Sequence, residues 1–329
     1  MSYLAIDVGG TFTKYAIVTE DCEILFKDKK PTQMISLEEF LNSLTTIYYE
    51  QKQTYDIEGI GLSMPGLIDS KNGFMYTGGF VTCINNLNIV EMMESRCHIP
   101  ITVENDAKCA ALAELWNGVL KDCRNAIVLV CGTGVGGAVI RNREVLRGSH
   151  FVAGEFSYTL TDYEGEYERK SCMAENTGIN SLMRYVSQET GIPADELDGV
   201  KVFSMANQGD EKSIAGLRKF VRHLAVLIHN CRCMFDPECF AIGGGISVQP
   251  LFLQMIKEEL QNMNEIFPWK VSPPHVVVCK FFNDANLLGA VYVHLQAREK
   301  KLSIQKMDEL MKLIGNRREA KYLKELLME

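Results

Sequence analysis

The 329-residue chain has no apolar run approaching the roughly 20 residues that a membrane-spanning helix needs, and its opening, MSYLAIDVGG, has no basic segment leading into an apolar core. A cytoplasmic protein is therefore expected. Positive charge is also in deficit, with 34 Lys and Arg against 42 Asp and Glu and a formal net charge of −8. Such a surface repels nucleic acid and anionic membrane at long range, so neither is expected as a partner, and any anionic ligand must be met by local groups. The eleven cysteines are odd in number and irregularly spaced, which fits reduced thiols rather than a disulfide framework. Cys231 and Cys233 form a C-x-C pair within a helix-like run, where residues two apart point to different sides, so no metal site is expected there. There is no low-complexity linker, and the P-loop pattern G-x-x-x-x-G-K-[ST] is missing.

What is present is an ordinary globular composition, 47% hydrophobic and 23% charged, over a length that suits two lobes. The stretch YLAIDVGGTFTKYAIVTEDCEIL (residues 3–25) runs an aspartate, Asp7, straight into a Gly-Gly turn between β-forming runs. A plain hairpin would explain the glycines. Alternatively, the N–H groups around Gly9 and Gly10 and the hydroxyls of Thr11 and Thr13 cradle phosphate while Asp7 faces a metal ion. A helix is predicted to start at Ser36, which makes a capping box with Glu39, with Ile35 and Phe40 as a hydrophobic staple. A buried strand ending at Pro65-Gly66, a helix near IVEMMESRC, a strand at ITVEND and an Ala-rich helix closed by Gly118 follow.

From Asn125 the plan begins again, because AIVLVCGTGVGGAVIRNREVLRGS repeats strand, Gly/Thr turn, strand, polar turn, strand, with Cys131 where the first copy has an acid. Two such units predict a duplicated α/β architecture with a boundary near residues 118–124. The rest reads as helices, a strand into Gly243-Gly244-Gly245, a helix, a short strand, a helix from Ala285 and an amphipathic tail. GTGVGG formally matches the dinucleotide fingerprint, with Glu155 18 residues beyond. That fingerprint requires a helix directly after the glycines, however, and AVIRNREVL is β-rich, so a dehydrogenase is not predicted. Asp106 stands between a strand and a helix beside Asn105. Alone it would pass for a helix cap, but with three glycine turns and Asp7 it supplies the base that phosphoryl transfer to a hydroxyl requires.

In order and spacing, AIDVGGTFTKYAIV, GLSMPGLID, ENDAKCAALAE, VCGTGVGGAVI, AGEFS and AIGGGIS resemble the ROK family of sugar kinases and related repressors over about residues 3–295. The resemblance implies a two-lobed actin-like ATPase fold with ribonuclease H-like sheets and a nucleotide/sugar cleft. Residues 1–120 would form one lobe, with the helix of about 285–329 packing back on it, and residues 121–284 the other. By position it implies that Asp106 is the general base for a sugar hydroxyl, usually O6, and that Asn105 and Glu155 hold the sugar. Asp7, Gly9, Gly10, Thr11 and Lys14 match the first phosphate loop, with Asp7 toward the Mg²⁺ of ATP. Gly132, Thr133 and Gly134 match the second loop, and Gly244 and Gly245 the adenosine side. Asn86-Leu87 keeps the start of the sugar-side loop, and His150 could reach sugar, although a backbone contact would explain that histidine as well.

The departures from the pattern matter too. Ser157 and Tyr158 stand where the family has Gly and His, and Cys172 is one cysteine where three are needed, so no zinc site is expected and the hydroxyl that the missing histidine reads must be met otherwise or left open. Zinc-lacking members resemble β-glucoside kinases acting on cellobiose-like sugars. A glucokinase, an N-acetylmannosamine kinase and a non-catalytic sugar sensor are the alternatives. The repressors carry an N-terminal helix-turn-helix, for which a phosphate loop beginning at residue 7 leaves no room. Homodimers are frequent in the family, and one is expected here.

Overall fold

The computed structural model describes residues 1–161, 171–267 and 271–314. The chain opens with β1 (Ser2–Val8), β2 (Phe12–Thr19) and β3 (Ile24–Pro31), followed by α1 (Leu37–Gln51) and β4 (Ile57–Met64). A small sheet of β5 (Ile68–Asp69), β6 (Phe74–Met75) and β7 (Leu87–Asn88) precedes α2 (Ile89–Cys97), β8 (Ile101–Asn105) and α3 (Asp106–Asn117). Then come β9 (Ala126–Cys131), β10 (Val135–Arg141), β11 (Glu144–Val145), α4 (Ala174–Thr177), α5 (Ile179–Thr190), α6 (Gly199–Asn207) and α7 (Glu211–Phe235). The described chain ends with β12 (Cys239–Gly243), α8 (Pro250–Ile266), β13 (Val276–Val278) and α9 (Ala285–Ile314).

The duplication is visible in the sheets. The first runs β3-β2-β1-β4-β8 and the second β11-β10-β9-β12-β13. In each, the first strand pairs antiparallel with the next and parallel with the strand that follows a helical crossover. This is the actin-like, ribonuclease H-like arrangement. The glycines of GTGVGG sit in a hairpin, with Val135 paired to Cys131, so no helix follows them. Asn142 and Arg143, both at positive φ, close the next hairpin as the polar turn predicted.

Ser36 caps α1, its hydroxyl accepting from the Glu39 N–H at 3.2 Å. The staple does not form, because Ile35 is 83% exposed while Phe40 is fully buried. The cap alone therefore fixes the helix start.

The site lies where α3 and α9 cross. Gly289 on α9 packs so closely on α3 that a Cβ would collide with the carbonyl of Cys109, and Gly61 of β4 meets the carbonyl of Ala290 in the same way. Leu287, Leu288 and Val291 of α9 share one buried cluster with Tyr3, Ala5, Ala16 and Val18 of the first sheet. Because α9 lies against the first sheet, Asn286 is carried to the end of β1. Among the described residues no helix is long and apolar enough to cross a membrane.

Candidate active site

Asp7 is the penultimate residue of β1 and is 4% exposed. A buried carboxylate needs partners, and its Oδ1 has two: the Ser63 hydroxyl donates at 2.8 Å and the Asn286 amide at 3.0 Å. Oδ2 faces the Lys14 ammonium at 3.9 Å, across the register that pairs Asp7 with Lys14. With Oδ1 held by neutral donors and Oδ2 only distantly paired with Lys14, the carboxylate keeps its charge and is the hard oxygen donor that a cation such as Mg²⁺ takes. Gly9 and Gly10 make the turn, closed by the Gly9 N–H donating to the Phe12 carbonyl, and Thr11 is exposed at its tip. Thr13 corrects the expectation. It is buried and its hydroxyl pairs with Thr32, which in turn donates to the Gly9 carbonyl, so Thr13 braces the loop from behind rather than facing phosphate.

The second and third glycine turns lie against one another. Gly244, at φ 95°, packs on the backbone of Cys131 with no room for a Cβ, while a Cβ on Gly132 or Gly245 would meet only open space. Backbone next to open space at two adjoining turns is what close approach of a nucleotide requires. Thr133 is exposed between them, and Gly134 accepts the Gly132 N–H. The N-terminus of α5 backs the loop, with the Ile179 N–H donating to the Gly132 carbonyl.

Asp106 is the first residue of α3. Asn105 caps that helix, its Oδ1 accepting from the Ala107 and Lys108 N–H groups at 3.1 and 3.2 Å, and its Nδ2 donates to the Gly66 carbonyl at 3.1 Å. The Asn105 side chain is therefore largely committed to protein, with one N–H left for a ligand. Burial, with the carboxylates of Asp7 and Glu155 adding to it, pushes the Asp106 carboxyl up to about 6, against the Ala107 N–H and the Lys108 charge, which lower it. The carboxyl thus titrates close to neutrality, as a general base should. The same field shows that Asp7, Asp106, Lys108 and Glu155 converge. Gly136 of β10, packed on Ala107, brings the second sheet to this point.

Glu155 receives the Lys108 ammonium at 3.3 Å. Asn86 and His150 are both exposed, Asn86 in a left-handed turn, and among the described residues neither bonds to Asp106, Asn105 or Glu155. Tyr158, in the place of the family's histidine, is 75% exposed. The part of the expected zinc segment at residues 162–170 lies outside the described residues.

Sequence reasoning missed several groups that build this centre. Ser63 is a buried hydroxyl next to the end of β4, in a run of buried residues. Asn286 follows Asn283-Asp284-Ala285, a second copy of the Asn105-Asp106-Ala107 tripeptide, and that repeat was a usable signal. Glu104, 1% exposed, accepts from Arg147 Nε at 2.9 Å and from the Ser70 hydroxyl at 3.0 Å, and its other oxygen takes the Asn105 N–H. Tyr76 stacks on Phe151 at 5.5 Å. No sequence pattern signals either contact, since both join the halves of the molecule.

A family model described as the ROK family matches residues 3–297. A β-glucoside kinase of Listeria monocytogenes is 31% identical, the match covering 90% of this chain and 98% of that protein. Among solved structures, a ROK family protein from Streptococcus pneumoniae in complex with sucrose superposes with a TM-score of 0.81 at 31% identity, over 92% of this chain and all of that one. A ROK family glucokinase from Streptomyces griseus in complex with glucose and AMPPNP gives 0.75 at 24% identity over 88% and 98%, a likeness of fold.

Proposed function

The chain belongs to the ROK family, and we propose that it is an ATP-dependent sugar kinase of that family, transferring the γ-phosphoryl group to O6 of a β-glucoside such as cellobiose. The observation that carries this reading is Asp106, a carboxyl at a helix start with its titration raised to about 6 by burial and by the neighbouring carboxylates of Asp7 and Glu155. The β-glucoside kinase match supports the substrate class, and the sucrose in the pneumococcal complex supports a sugar of disaccharide size. A hexose such as glucose or N-acetylmannosamine is the second reading.

In the reaction, Asp106 takes the proton of the attacking hydroxyl, the sugar oxygen bonds the γ-phosphorus, and the bond to the β-phosphate oxygen breaks. Asn105 and Glu155 orient the sugar. The turns of Gly9-Gly10 and Gly132-Thr133-Gly134 hold phosphates through the N–H groups not spent within the turns, with Thr11 and Lys14 beside them, and Gly244 and Gly245 border the adenosine. Mg²⁺, held through Asp7, would neutralise charge on the phosphates when bound. Residues 1–120 with α9, and 121–284, act as the two lobes whose closure excludes water. The protein is taken to be cytoplasmic and a homodimer.

The test is ADP release from Mg²⁺ATP across glucose, N-acetylmannosamine, cellobiose and gentiobiose, with Asp106→Asn as control. The variant should bind ATP normally and lose about 10²–10⁴ in turnover. Undiminished turnover in it would sink the base assignment, and silence across the panel with sugar still bound would favour a sensor.

A further inference from the structure

Lys108 is the least expected residue of the site. It lies on α3, two residues past Asp106, with its side chain 4% exposed, and it donates one hydrogen bond among the described residues, to Glu155 Oε1 at 3.3 Å. An ammonium has three N–H groups and is costly to desolvate unless they are matched. Two of them are uncommitted here, beside a carboxylate that is itself 28% exposed and open to a ligand. Beside the one N–H that Asn105 keeps, the other side chains near Glu155 supply no donor here. Tyr158 projects into solvent, the Ser157 hydroxyl is spent on the Val135 carbonyl at 3.1 Å, and His150 is exposed.

We propose that Lys108 binds the sugar directly. Its Nζ donates to a ring hydroxyl of the pyranose, which donates in turn to Glu155, so that the buried ion pair reads the sugar as a joint donor and acceptor. This rests on the kinase reading above and supplies the donor for which Tyr158 is no substitute. The pair is formally neutral, so it holds a polar ring without adding negative charge near Asp106 and Asp7. It also joins α3 to the second half of the molecule, so sugar bound there engages both lobes.

The test uses titration calorimetry of glucose, 2-deoxyglucose, 3-deoxyglucose and cellobiose without nucleotide, together with steady-state kinetics, on wild type, Lys108→Met, Lys108→Arg, Glu155→Gln and the Lys108→Met/Glu155→Gln double variant. Lys108→Met should weaken sugar binding about ten- to a hundredfold, the range for a hydrogen bond to a charged group, and leave the KM for ATP within about twofold. The deoxysugar lacking the contacted hydroxyl should bind wild type weakly and Lys108→Met no more weakly than the full sugar does. The double variant should bind more weakly than Glu155→Gln alone, since Lys108 touches sugar itself. Lys108→Arg keeps the charge but moves the donors, and it should fold and lose sugar affinity about five- to tenfold, which covers the case in which Lys108→Met is unstable. Unchanged sugar affinity in Lys108→Met, equal losses for sugar and ATP, or no further loss in the Glu155→Gln background would each overturn the assignment. Calorimetry keeps the question apart from the kinase reading: a wild-type chain that binds sugar but transfers no phosphate sinks the kinase and still tests Lys108. One that binds no sugar overturns both.

Discussion

The two halves of the molecule place different chemistry at one topological point. In the first sheet the residue near the end of the leading strand is Asp7, flanked in register by Lys14 on one side and Ser63 on the other. In the second it is Cys131, flanked by Val135 and packed against Gly244, with burial pushing its thiol up to about 12. One end is a charged group with polar supports, the other a closed apolar seat with open backbone beside it. The strand order is common to both, so the division of labour is written in side chains placed on a shared frame. In the proposed reaction the first half brings the acid for a cation, and the second brings bare backbone for a nucleotide.

That contrast can be broken deliberately. Removing the acid should matter most: Asp7→Ala is expected to cut turnover by about 10²–10³, in the range for loss of one electrostatic contact to a transition state. Its counterpart Cys131→Ala should leave turnover within about twofold and cost about 1–2 kcal/mol of stability, as expected when a small buried group is deleted. Initial rates and denaturant melts on the pair decide the matter, and equal kinetic damage would erase the proposed division.

Within the glycine turns the split is between packing and ligand. Gly244→Ala puts a Cβ into the Cys131 carbonyl at a positive φ, and it should destabilise the chain by about 3 kcal/mol or more. Gly132→Ala puts its Cβ into open space. It should melt within a degree or two of wild type yet raise the KM for ATP about tenfold. A normal melt for the first, or a normal KM for the second, would reverse their roles.

Asp106 gives two pH tests. As a base it must be ionised, so kcat/KM should fall about tenfold per pH unit below about pH 6, and the break should vanish in Asp106→Asn. Stability moves the other way. The folded carboxyl holds its proton up to about pH 6, whereas an unfolded aspartate loses it near 4. Between those values the native state binds more protons, so wild-type stability falls as pH rises through the window. Asp106→Asn should accordingly melt higher than wild type at pH 7.5, by about 2 kcal/mol, and match it near pH 4. Stability is thus gained where activity is lost.

Much of the fold was legible because hydrophobic periodicity and glycine turns act locally. The strands around Asp7 and Gly132, the hairpin after GTGVGG and the cap at Ser36 follow from residues within a few positions of one another. The staple at Ile35 failed because a neighbouring pair of apolar residues does not decide which of them the core has room for. Asn86 was chosen because Asn86-Leu87 keeps the start of the family's sugar-side loop, and His150 because it lies five residues before Glu155; both are exposed, and the chain's local pattern does not fix where loop side chains like these face.

The sequence by itself determined the repeated strand plan, the positions of the glycine turns, and the presence of Asp7, Asp106 and Glu155, because each rests on local geometry or on motif order. Only the tertiary structure decided that Asn286, some 280 residues away, holds Asp7, that Thr13 faces inward, that Arg147 grips Glu104, and that Lys108 is buried against Glu155. Those contacts join segments that share no local constraint. They arise when α3 and α9 cross and the two sheets meet, where burial turns distant polar side chains into obligatory partners.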